Sequence, residues 1–513
     1  MKQRIALHGT TAVILALGSG AQADVTPAQV WENMTGFYDV IGYEISAGSV
    51  NDTGGALTVS DLSMTFPVPA PEMSGEVALD VSMTMPDMTL ISNGDGTVKV
   101  VMPDSYTMDV LIAPEGDESG TISLAVDQSG LEIVASGDPS EVTYDMSSPG
   151  VTISLLDINI PHEEELSEAM EATMTLNDYS GFYVLGSGDM PVLGMNLVAA
   201  SGDLVVTGRE PDGSGAFDMN VAFQSVEYVA DMVYAATDKP GDFTAMMKAG
   251  AAGVGSLSHG GAEYTVDFKD SRDSFAMDGS SSSGLMEFEM GDGVMSYAIG
   301  NTGMELTVSG SEIPLPEVSL TAAKTLFGMT MPVLASDDAK DLGLSLRLEG
   351  LSVSDMIWGM IDPAAQLPRD PATLIIELAG KANWLVDIMD PEALMTADVE
   401  MPGALESMDI NELKLSIAGA ELTGSGGFTF DMADMDTFDG IPAPTGALDL
   451  QLDGSNALMD KLVAMGLLPE EQAMMGKMMM GMFAQPVGDD SLSSKIEIDG
   501  ASGAISANGQ RLQ

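Results

Sequence analysis

The chain has 513 residues, with 18 Lys+Arg against 78 Asp+Glu for a formal charge of −60, and no cysteine. That charge repels nucleic-acid phosphates and anionic headgroups, and the missing thiols exclude disulfide frameworks and thiolate metal sites. A hydrophobic fraction of 45% is enough for a core, although only 5% of residues are aromatic.

Lys2 and Arg4 precede the short apolar run Ala12–Leu17, and Ala21-Gln22-Ala23 stands ahead of Asp24. This is the pattern of a cleaved secretory signal over residues 1–23. Its apolar part is shorter than the ~20 residues of a membrane-spanning helix, and no later stretch is apolar for long enough to span a bilayer. The expectation is a periplasmic or secreted protein, not membrane-spanning, with residues 24–513 forming one elongated body because no break in composition divides them. The scattered acids read as a solvated surface suited to saline surroundings, with cation binding as the other option.

A helix is expected over 24–42. Thr26 is a fitting N-cap, Pro27 suits the first helical position, Gln29 completes a capping box and Gly42 can close the helix. Val30, Trp31, Met34, Phe37, Tyr38 and Ile41 recur at helical spacing. Two-residue alternation then takes over. Val77 to Met85, Tyr264/Val266/Phe268, Met286/Phe288/Met290, Leu342 to Leu348, Leu413/Leu415/Ile417 and Leu448/Leu450/Leu452 each predict a strand with one buried and one wet face. Turn signals punctuate them at Asn93–Gly96, Asp212–Gly215 and Gly291–Gly293. Three proline clusters, at Pro67–Pro71, Pro314–Pro316 and Pro442–Pro444, belong at strand ends, since proline cannot donate to a ladder.

Short helices are expected at Asp242–Gly250 and from Ser354 to Asp362-Pro363. A helical hairpin is expected over 455–485, broken by Pro469, before strands resume at Asp489 and turn at Asn508-Gly509. The fold class is therefore mainly β: a large curved antiparallel sheet, elongated or partly open and barrel-like, with an N-terminal helix and a Met-rich C-terminal helical hairpin.

The run Asp24-Val25-Thr26-Pro27-Ala28-Gln29-Val30-Trp31, the segment Trp358–Pro363 continuing through Leu367–Leu374, the Met-rich hairpin and the ending Ala507–Leu512 carry a resemblance. They resemble an uncharacterised family of exported alphaproteobacterial proteins, domain of unknown function 2125, over nearly the whole chain after the signal. The resemblance implies no activity and transfers no functional residue. A likeness to envelope proteins with long curved sheets, such as those of the AsmA type, is an analogy of fold only.

The chain carries no recognisable catalytic pattern. His162 lacks a second histidine four residues on, His259 falls in what reads as a flexible Ser-His-Gly-Gly turn, and no Gly-x-Ser-x-Gly or phosphate-binding glycine loop occurs. Asp434-Met435-Asp436 fails the spacing of a calcium loop and reads as a solvated turn. No enzyme, cofactor or metal is implied. Met474, Met475, Met478, Met479, Met480 and Met482 crowd one helix; core packing against the sheet is the first explanation. An adaptable surface for an apolar partner and a soft Cu(I) site are the others.

Four roles are open to an exported, acidic, β-rich chain. An outer-membrane barrel wants aromatic girdles that three Trp and ten Tyr cannot supply. A motif-less acidic hydrolase would need converging carboxylates. The favoured expectation is a non-enzymatic envelope protein whose curved sheet shields an apolar, lipid-like ligand, with Trp358, Met474, Met478 and Phe483 lining the groove. The alternative is a structural or adhesive protein with no groove.

Overall fold

The computed structural model describes residues 24–68, 79–114, 118–161, 170–210, 214–237, 242–390, 395 and 402–512. The expected signal at 1–23, His162, Val77 and part of the first proline cluster lie outside these residues.

The capping box forms as the sequence dictates. Gln29 donates its backbone N–H to the Thr26 hydroxyl, and the Gln29 side chain accepts from the Thr26 N–H, opening α1 (Pro27–Val40). The other helices fully within the described residues are α2 (Phe243–Lys248), α3 (Asp355–Ile361), α4 (Ser455–Ala464) and α5 (Glu470–Phe483).

The strands among the described residues, 27 in number, belong to one hydrogen-bonded sheet. It begins with β1 (Glu44–Asp52), β2 (Ala56–Val68), β3 (Leu79–Met85), β4 (Met88–Ser92), β5 (Val98–Val101), β6 (Ser105–Pro114), β7 (Gly120–Asp127) and β8 (Glu132–Asp138). Long strands follow: β9 (Glu141–Asn159), β10 (Met170–Gly186), β11 (Val192–Arg209) and β12 (Ala216–Val233). Four short ones come next: β13 (Ala252–His259), β14 (Gly261–Lys269), β15 (Ser274–Ser281) and β16 (Ser283–Gly291). The rest are β17 (Val294–Gly310), β18 (Val318–Pro332), β19 (Lys340–Val353), β20 (Ala372–Trp384), β21 (Gly403–Ile417), β22 (Ala420–Asp431), β23 (Ala443–Asp453), β24 (Gln485–Gly488), β25 (Ser491–Asp499), β26 (Ala504–Ala507) and β27 (Gln510–Arg511).

Every ladder between these strands is antiparallel, as the alternation and the lack of crossover helices predicted; the isolated bridge Ala335–Trp384 is parallel. Pro314–Pro316 falls between β17 and β18, and Pro442–Pro444 at the start of β23. Asp292-Gly293, both at positive φ (51° and 75°), close the β16–β17 hairpin. This is the chemistry a two-residue hairpin loop demands.

A line of irregularity crosses most of the sheet. β2 pairs with β4 along one part and β3 along the other; β9 does so with β8 and β7, and β12 with β13 and β14. The long strands between these pairs carry an extra residue at the same level. In several strands it is in the left-handed region: Asp178 (φ 47°), Ser225 (φ 51°), Gly303 (φ 57°) and Gly350 (φ 69°). An extra residue bends a strand and resets its two-residue period. In β12 the apolar series accordingly runs Phe217, Met219, Val221, Phe223 and then Val226, Tyr228, Ala230, Met232. The odd half pairs with β14 and the even half with β13, all on one face. β10, β17 and β19 switch parity in the same way. The sheet is creased along its length, and one face stays apolar on both sides of the crease.

Candidate ligand-binding trough

The apolar face is the inner one. Val30 and Phe37 of α1 pack on it among Leu57, Val59, Leu90, Val98, Val142, Tyr144 and Leu185, all almost fully buried. Phe37 also meets Tyr234, just beyond β12, edge to face at 5.7 Å. At the same C-terminal end of the helix Tyr38 meets Tyr43, just before β1, and Tyr43 packs on Phe66 of β2 at 5.1 Å. One helix thus touches the strands at the start of the sheet and the end of β12, which requires the sheet to curl around it.

Polar anchors hold α1 in place. The Tyr144 hydroxyl donates to Asn33 Oδ1 (3.0 Å), and Asn33 Nδ2 donates to the Leu185 carbonyl (2.9 Å). The Tyr144 ring stacks on Tyr183 with centroids 4.6 Å apart. Burial first, and then neighbouring tyrosines, pushes both phenols above their ordinary pKa, so both stay protonated. At this end the trough is plugged.

Beyond α1 the inner face is open. One transverse row runs in register through Leu197, Tyr228, Leu257, Met286, Ile299, Phe327, Leu346, Ile376 and Leu413, from β11 to β21. A parallel row passes through Phe288, Tyr297, Met329, Leu344, Leu378 and Ile410. No helix among the described residues covers these rows: Tyr228, Ile299, Phe327 and Met329 are 40–42% exposed. Nine inner side chains from Tyr228 to Met329 sit near 40% exposure. At 150–200 Å² each they leave on the order of 600 Å² of apolar surface, the upper bound for the largest patch on an ordinary monomer. The ten strand columns from β12 to β23, ~4.8 Å apart, give this open stretch a length of roughly 43 Å.

The outer face is the polar one. Arg347 donates from Nε to Glu377 (2.6 Å) and from Nη2 to Glu412 (3.1 Å), with Ser345, Lys414, Glu421 and Asp449 on neighbouring outward positions. Charge outside and hydrocarbon inside is the arrangement that the alternating runs foretold.

The helices sit at the rims. α2 covers one edge with Met247, against Met290 and Val333, and Lys248 pairs with Asp387 at 2.5 Å. α3 and the α4–α5 hairpin share the opposite edge, where Asp362, after α3, lies within the field of Lys461 on α4. Backbone N–H groups of Gln366 and Leu367, then Arg369 and Lys461, hold the Asp362 carboxyl below its usual range.

Of the expected groove residues, Trp358 lies half-buried on α3 and the other three on α5 at the same rim; none is on the trough floor. The expectation that the clustered methionines are core is overturned. Met474, Met478 and Met482 are 61–66% exposed, because α5 packs on α4 through Ala473 and Gly476 and turns its methionine stripe outward. Ser354 takes the N-cap position of α3, but its side chain makes no capping bond. His259 is also corrected: it ends β13 at the crease and is not in a loose turn. Asp434 spends its carboxylate on Thr437 and Asp436 within its own turn. No helix among the described residues is long and apolar enough to cross a membrane, and none of their acidic and histidine side chains group as a metal site would require.

Residues 261–509 match the family described as an uncharacterized protein conserved in bacteria (DUF2125), which bears out the resemblance over that stretch. No curated protein matches the chain. Among solved structures, the ferric citrate transporter FecA in its unliganded form aligns over 89% of this chain and 72% of that one. Its identity is 8% and its TM-score 0.15, too low to carry an argument.

Proposed function

We propose that this protein is a non-enzymatic, exported envelope protein that shelters the hydrocarbon part of a lipid-like molecule in its creased sheet. The observation that carries this reading is the unbroken apolar row from Leu197 to Leu413, in register across the strands and left uncovered. Burying a large exposed apolar area against a ligand is favourable by ~25 cal/mol per Å², so about 600 Å² offers on the order of 15 kcal/mol before the costs of association. The open stretch of roughly 43 Å exceeds the ~30 Å hydrocarbon core of a bilayer, so it accommodates acyl chains end to end.

In this reading α1 is a fixed end-plug, and loading proceeds over the opposite rim, where Trp358, Met474, Met478 and Phe483 form an adaptable apolar surface. Export rests on the signal pattern of residues 1–23. A structural or adhesive protein would close its core, and the uncovered inner rows speak against that alternative.

The test is lipid extraction and mass spectrometry of protein purified without detergent from its native host. Stoichiometric acyl lipid is expected. Lipid-free protein that also takes up no acyl probe from solution would overturn the reading.

A further inference from the structure

The lining of the trough is apolar with one interruption. From β10 to β23, setting aside the tyrosines and Lys340, which pairs with Asp292 at the rim end of β19, the inward positions among the described residues carry four polar side chains: His259, Ser281, Asn301 and Thr325. All four lie at the crease on successive columns. His259 is opposite Gly284, Gly284 opposite Asn301, and Asn301 opposite Thr325. The same crease row then continues as Leu348, Leu374, Leu415, Leu422 and Leu452. The polar step is therefore a local feature of the floor and does not extend along the crease.

Its geometry is open to a ligand. Gly284 has no side chain, and His259 and Asn301 lean over it from either side: a Cβ there would fall on His259 Nε2 and 2.8 Å from Asn301 Oδ1. Phe223 backs the imidazole at 5.2 Å. His259 Nδ1 is buried and makes no hydrogen bond of normal geometry, the ring's one weak backbone interaction being with Gly261. Burial holds the imidazole below its usual pKa, so it is neutral at pH 7. The charged side chain at an inward register position between β10 and β23 is Lys340, at the far end of β19 from the crease and paired with Asp292 at 2.7 Å, so a carboxylate or phosphate bound at the crease would lie there unpaired, which is costly.

We propose that His259, Asn301 and Thr325 form a polar subsite for an uncharged hydrogen-bonding group, an ester, amide or hydroxyl, carried by an amphiphile whose chain runs along the leucine row of the crease. This rests on the trough reading and narrows it to neutral amphiphiles.

The test is displacement of a fluorescent apolar dye from the full chain by methyl palmitate, palmitate and hexadecane. The native protein is expected to take methyl palmitate about tenfold more tightly than hexadecane, with palmitate weaker than its ester. In His259→Leu/Asn301→Leu that preference is expected to vanish while hexadecane binding holds. Gly284→Ala, which wedges the two side chains apart, is expected to do the same with the lining otherwise intact; circular dichroism checks folding. An ester-to-alkane ratio unmoved in both variants would overturn the subsite alone. Failure of all three probes to bind native protein would overturn the trough and the subsite together.

Discussion

Replacing Tyr144 by Phe tests whether α1 is a fixed plug. The ring, fully buried and stacked on Tyr183, keeps its packing, and only the hydroxyl that donates to Asn33 Oδ1 is lost. Asn33 is itself buried, so its oxygen is left without that donor at a cost of about 1–3 kcal/mol. Asn33→Leu takes one donor from the Leu185 carbonyl and leaves the Tyr144 hydroxyl only its long bond to the Val30 carbonyl (3.4 Å), so the double variant should cost less than the sum of the singles. Each strand bonds only its neighbours, and the damage should therefore stay local, as in solenoids. Amide exchange in α1 is expected to speed up by about fivefold to 150-fold, the range corresponding to that penalty, while amides of β20–β23 are unaffected. Unchanged exchange in α1, or equal acceleration along the whole sheet, would refute both the anchor and its locality.

Other outcomes follow from the same geometry. Gly303→Val places a β-branched side chain at φ 57° and against the Ser282 hydroxyl, so a loss of at least 1–2 kcal/mol is expected in denaturant titration. Met478→Gln on the exposed stripe should change stability by no more than about 0.5 kcal/mol, whereas a core methionine truncated to Ala would cost about 2–5; a melting curve separates the two. Asp490 accepts from the N–H groups of Asn456 and Ala457 at the start of α4, and Asp490→Ala should loosen that helix by ~1 kcal/mol, read by amide exchange. Burial opposes its ionisation, but those bonds and Lys477 outweigh it and depress the pKa. The cap's contribution is thus complete above the unfolded carboxyl value of ~3.9 and fades as pH falls through the lower folded value. Exchange in α4 that rises only on acidification, and loses that pH dependence in Asp490→Ala, is the expected pattern.

Much of the sheet was legible because burial on one face imposes a period of two. Every alternating run read from the sequence that lies within the described residues, from Tyr264 to Leu452, falls on the inner face. The crease is hidden from a strand-by-strand pattern, although its signal is present: the apolar series in β12 changes from odd to even at Ser225, and that in β17 changes at Gly303. A strand-by-strand pattern sees two short runs there; only pairing shows them to be one bent strand. The methionine helix misled for a different reason. A stripe at i, i+4 and i+8 marks a helix face but not what that face meets, and here the small residues Ala473 and Gly476 make the packed side. His259 looked like a loop residue because Gly260-Gly261 follow it, and those glycines serve the crease between β13 and β14.

The central claim, a wetted apolar interior that receives hydrocarbon, is tested most directly by photolabelling the protein with a diazirine-bearing acyl chain and mapping the labelled residues. The account predicts adducts on Tyr228, Leu257, Met286, Ile299, Phe327 and Met329, with outward neighbours such as Ser345, Glu377 and Lys414 unlabelled. Labels spread over both faces, or confined to the outer one, would contradict it.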